Sequence, residues 1–246
     1  SGSSDAGRKG GSINVEAGST SESGAIGGSV SIRAGATVSA NNGTGGHVSI
    51  HAGDSIGNDD ATGGAIYIMS GSGVAKSSGA VVLATADAGT EGVSGELLFS
   101  TGHATSGASG KVSILSGAST DGSGGDIILA VGTASRYLGG NVQVNAGPSD
   151  TLTGGSVSLS AGPSTRTTSG QIVVRTQHAG VAGVSGTLSF YTGNSSAGAS
   201  GGINIETGRA KGGQGGNINI KSGSSDAGRK GGSINVEAGS TSESGA

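Results

Sequence analysis

The sequence predicts an all-β chain: a β-solenoid of about 15 residues per coil, uncapped at both ends. Three observations lead there. A long stretch recurs without change, a short apolar unit recurs throughout, and a glycine holds one fixed place in that unit.

The long repeat comes first. Residues 1–25 read SGSSDAGRKGGSINVEAGSTSESGA, and residues 222–246 read the same, letter for letter. The expected organisation is one super-repeat over 1–221 and the start of the next over 222–246, sampled from a longer polymer.

Inside it lies a shorter unit, a Gly followed two positions later by Φ-x-Φ, where Φ is Ile, Val, Leu or Phe. The first Φ falls at Ile13, Val30, Val48, Ile66, Val81, Leu97, Val112, Ile127, Val142, Val157, Ile172, Leu188, Ile203, Ile218 and Ile234. The steps between them run 17, 18, 18, 15, 16, 15, 15, 15, 15, 15, 16, 15, 15 and 16. From Ile13 to Ile234 they span the offset of the long repeat, so the super-repeat holds a whole number of units. A fainter echo links GVSGELLFSTG at 92–102 with GVSGTLSFYTG at 183–193, as duplication of a six-unit block would leave it.

Each unit alternates apolar and polar residues. Ile13, Val15 and Ala17 share one parity, and Asn14 and Glu16 share the other. That period, with mostly β-branched apolar members, is the half-buried strand pattern. The Gly two positions before the first Φ (Gly11, Gly28, Gly46, Gly64, Gly79 and onward) reads as a corner where a side chain would clash. Gly18, Gly35, Gly53 and Gly71 read as the opposite corners. A single strand cannot bury its face, and stacked units would.

Two windings satisfy this. One strand per coil lines up Asn204, Asn219 and Asn235, and sets Lys221 between Glu206 and Glu237. Two strands per coil, about 30 residues with two facing sheets, would stack Glu206 on Glu237, which is unfavourable. The first winding is preferred. Ile26, Val93, Leu138 and Val184 are then expected to pad the opposite wall.

Composition removes most chemistry. Of 246 residues, 55 are Gly, roughly three times the usual share of about 7%. There is no Cys, so zinc–thiolate, disulfide and thiol-nucleophile readings fall. Lys and Arg total 13 against 16 Asp and Glu, which argues against nucleic acid. No apolar run approaches the ~18 residues of a membrane span. His47 and His51 stand four apart on one strand, about 13 Å, too far to share a metal ion. His103 and His178 are isolated. GGQGGN at 212–217 carries Asn217 where a calcium-binding β-roll has Asp, and it does not recur. No cofactor, metal or catalytic constellation is expected, and the chain is not read as an enzyme.

Two features rise above this background. Tyr67, Met69, Val82, Leu98, Leu115 and Ile128 all carry outward parity in consecutive units, a candidate lateral contact patch. Asn42-Gly-Thr44 and Asn194-Ser-Ser196 are candidate N-glycosylation sequons in predicted returns, so glycans are candidate partners.

The run SG-x-Φ-x-Φ-x-TG-x-x-x-x-G-x-SG, carried best by GVSGELLFSTGHATSGASG at 92–110, resembles very long Gly/Ser/Thr-rich tandem-repeat surface and fibre proteins predicted in diatoms and related algae. The resemblance implies a secreted or surface-attached fibrous protein and transfers no activity and no functional residues. The expected function is therefore a structural, extracellular or cell-surface filament made by continuous stacking of β-coils, whose partner is itself, by axial continuation and lateral bundling. The alternative is an adhesin or ice-binding module. Ice binding calls for a rank of outward Thr, and the outward positions instead run Asn14, Ser31, Ser49, Tyr67, Val82 and Leu98. A silk-like disordered chain is the third reading, opposed by the strict register of Φ.

Overall fold

A computed structural model describes residues 10–38, 43–56, 61–226 and 228–240. It overturns the solenoid. Among the described residues there is no strand and no helix, so neither the single-strand coil nor the double coil with facing sheets is formed. No described side chain is buried. The chain exposes 25010 Å², where a compact monomer of this mass would expose about 9,600 Å².

The alternation itself survives locally. Exposure runs 51% at Ile66, 87% at Tyr67, 65% at Ile68 and 87% at Met69. The Ser49 hydroxyl meets His51 Nε2 at 2.5 Å, two side chains of equal parity on one side of the chain. What is missing is lateral pairing between segments.

The reason lies in how each return closes. The Gly28 N–H donates to the Gly18 carbonyl at 2.8 Å, so the start of one segment meets the end of the segment before it. A coil needs start beside start, Gly28 beside Gly11, and this contact holds Gly28 elsewhere. The return becomes a loop with a closed neck, in the manner of an Ω-loop. The expected padding of a second wall fails with it: Ile26 is 94% exposed, and Val93, Leu138 and Val184 are each 96% exposed.

The chain divides into two units, Ser1–Ile127 and Ile128–Ala246. In the first, necks also join Gly46 to Gly35, Gly64 to Gly53 and Gly79 to Gly71, each at 2.9 Å. In the second they join Gly155 to Gly147, Gly170 to Gly162 and Gly232 to Gly223, again at 2.9 Å. Loop length follows the repeat step one for one. The shortest loops, such as Gly71–Gly79, close the shortest steps; Gly223–Gly232 and Gly18–Gly28 are each one position longer in turn; Gly35–Gly46 and Gly53–Gly64 close the longest. All variation in step length therefore sits inside the loop, and the segment between necks is constant.

Each neck is also a steric fit. A methyl on Gly28 would lie 3.2 Å from Ala17 Cβ and from the Gly18 nitrogen and oxygen. The same pairing of corner glycine with the last small residue of the preceding segment recurs along the chain, as at Ala34–Gly46, Thr101–Gly110, Ala161–Gly170 and Ser222–Gly232. At Gly140 the neighbour is Val131, whose Cγ1 would be only 2.7 Å away. These glycines make room, as expected of them, but at the necks of loops and not at the corners of a coil. The opposite glycines do not: a methyl on Gly18, Gly35, Gly53 or Gly71 meets nothing within 4 Å. Left-handed φ is used elsewhere, as at Gly24 (φ 78°) and Gly212 (φ 84°), inside loops.

The fainter sequence echo is reproduced in geometry. Gly92 N–H donates to the Gly89 carbonyl and Gly183 N–H to the Gly180 carbonyl, both at 3.3 Å. In each turn a methyl added to the last glycine, Gly92 or Gly183, would lie 3.7 Å from the Cβ of Ala88 or Ala179.

Gly28→Ala is expected to open its neck, and Gly18→Ala to leave it closed. An exposed backbone bond worth about 0.5–1.5 kcal/mol slows amide exchange by roughly 2- to 10-fold. Hydrogen exchange at residue 28, followed by NMR, should lose that protection in the first variant and keep it in the second.

Candidate functional site

The points of closest packing are the necks. Among the described residues the half-buried ones are Ala17, Ala34, Ala52, Ala104, Ala161 and Ser222, and all but Ala104 are neck residues. The bonding varies with the side chain at this position. Among the described residues, the seven necks with an N–H···O bond carry Ala or Ser there: Ala17, Ala34, Ala52, Ser70, Ala146, Ala161 and Ser222. Where Thr192 and Thr207 stand instead, the Thr hydroxyl donates to the carbonyl of Gly201 at 3.1 Å and of Gly216 at 3.3 Å. At these two necks the Thr hydroxyl supplies the hydrogen bond that the glycine N–H supplies at the seven.

Loop tips carry a second device that the repeat pattern did not single out. The hydroxyl of Ser119 accepts the Gly122 N–H, that of Ser149 the Leu152 N–H, and that of Ser195 the Gly198 N–H, each at 3.0 Å. Ser164 accepts from the Thr167 N–H at 2.9 Å and from the Arg166 N–H at 3.3 Å. These are Ser turns, in which a short polar side chain stands in for a backbone acceptor. The signal was present as Gly-x-Ser at Gly117–Ser119, Gly147–Ser149, Gly162–Ser164 and Gly193–Ser195.

Among the sequons, Asn194 lies exposed at the start of such a tip, beside Ser195. Asn42 lies outside the described residues. The candidate patch residues are exposed, from Leu98 at 72% to Tyr67 and Met69 at 87%. Exposure does not set them apart, since residues of inward parity are exposed as well. Their contiguity depended on the coil and falls with it. Ile128 belongs to the second unit and the other five to the first.

Apolar side chains of consecutive segments do converge at one place in the first unit. Phe99, Val112, Ser113 and Ile114 line a shallow cavity of about 400 Å³. It contains no titratable group. Among the described residues no three His, Cys, Asp or Glu gather as a metal site would require, and none forms a helix long and apolar enough to cross a membrane.

No known protein family, curated protein or solved structure matches the chain. Function has to be read from the molecule's own regularities: closed glycine necks, capped loop tips and exposed apolar segments.

Ser164→Ala removes the acceptor for two amides at one tip, and should raise tryptic cleavage after Arg166 about fivefold, the equivalent of ~1 kcal/mol. Limited digestion compared at Arg136, away from that tip, checks it.

Proposed function

We propose that the chain is a structural repeat protein of an extracellular or cell-surface fibre. The observation that carries this reading is the recurrence of exposed apolar segments along the described residues, many of them beside a closed neck. A catalytic protein concentrates its unusual chemistry in one place. Here one small set of contacts recurs many times, as a load-sharing material requires.

The unchanged recurrence of residues 1–25 at 222–246 supports tandem polymerisation within the chain. The Asn194 sequon, exposed on a loop, supports passage through a secretory route. Charged side chains are few, 13 Lys and Arg with 16 Asp and Glu, and the net charge of −3 leaves little repulsion to keep chains apart. Absence of Cys means that cohesion does not rest on disulfides.

Immunogold electron microscopy of native material, with antibody raised against the segment 92–110, should label fibres outside the cell. Label confined to the cell interior, or away from fibres, would overturn the reading. Exposed apolar residues of the separate segments, rather than one contiguous patch, are read as the sites of lateral association: Leu98→Lys with Ile128→Lys should weaken bundling in micrographs and leave single fibres, and unchanged bundling would remove these two residues from that role.

A further inference from the structure

We infer that the apolar segments are completed by a second copy of this chain, each segment pairing edge to edge with a segment of the other copy to form strands between molecules. The inference deepens the structural reading above and rests on it for its biological setting, though its chemistry stands alone.

Three observations select this occupant. Among the described residues, the backbone–backbone bonds are those of necks and turns, so the segments between them carry main-chain donors and acceptors outside any ladder. The surface to be covered is large: about 15,000 Å² more than a compact monomer of this mass would expose, against roughly 1,200–2,000 Å² for a standard interface or about 2,000–5,000 Å² for an obligate one. The third observation is what the edges lack. Exposed edges are ordinarily blunted by Pro or Lys. Both prolines, Pro148 and Pro163, lie in loops directly after neck glycines. The segments at Ile66–Met69, Val81–Leu83 and Leu97–Phe99 contain no Lys and no Pro.

The shape required of a partner is correspondingly narrow. It must offer short segments of the same length and parity, spaced by necks that swallow a variable loop. This chain is itself such an object. Pairing would place the less exposed first-Φ residues, such as Ile127 and Val142, against their counterparts, and convert the alternation already present into a half-buried face.

The test is a dilution series of the full chain, followed by far-UV circular dichroism and sedimentation velocity together. β-structure should appear with concentration and in step with the rise in sedimentation coefficient. The triple variant Ile127→Lys, Val142→Lys and Val157→Lys should move that transition to at least tenfold higher concentration. A β-signal independent of concentration in a species sedimenting as one chain would overturn the inference, as would association without gain of β-structure, or no association at any concentration reached. None of these results bears on where the native protein resides, so failure here and failure of the immunogold experiment are distinguishable.

Discussion

Everything in this chain depends on one small contact, the packing of a glycine against the last small side chain of the segment before it. Ala17 and Gly28 show its components: a 2.8 Å backbone bond from Gly28 to Gly18, and a space so tight that a methyl on Gly28 would come within 3.2 Å of its neighbours. Fixing the ends of such a loop costs entropy that grows only slowly with its length. One contact can therefore close loops of differing length with nearly the same effect, and the necks at Gly71–Gly79 and Gly35–Gly46 have the same 2.9 Å bond.

That contact also decides what the chain does not do. By setting the start of a segment beside the end of the last, it keeps consecutive segments from pairing as strands, and outside such meeting points as Phe99 with Val112 and Ile114 their apolar residues stay exposed. Ile26 and Val93 show the result most plainly, standing in loops with almost all their surface exposed. Free energy of order 25 cal/mol per Å² of apolar area is left unrealised in the single chain. On the proposed reading it is the driving force for assembly.

The repeat, its register and the special place of one glycine per unit were legible in the sequence, because they are local and periodic. The small residue opposite that glycine was legible in principle, since Ala, Ser or Thr stands there almost every time, but its partner lies across a loop and no periodicity names it. The solenoid was the wrong inference from right ingredients. Alternation such as Ile13-Asn14-Val15 says that a segment has two faces, and is silent on what covers either. Positions like Leu138 and Val184 had the parity for a second wall, but a wall also needs the chain to return beside itself. The Ser119, Ser149, Ser164 and Ser195 turns were missed because Ser is abundant and only its spacing from glycine marks these four.

A closed neck also hides contour length. The carbonyl of Gly53 and the amide of Gly64 are in contact although a whole loop runs between them. Pulling that bond apart would release roughly 35 Å of slack, at ~3.4 Å per residue, for the rupture of a single weak link. The broken link re-forms once tension drops, because loop closure at this length takes well under a microsecond. Arranged in series, such links let a fibre yield stepwise, dissipate work and recover, so its toughness would be set by the number of glycine necks rather than by the strength of any one.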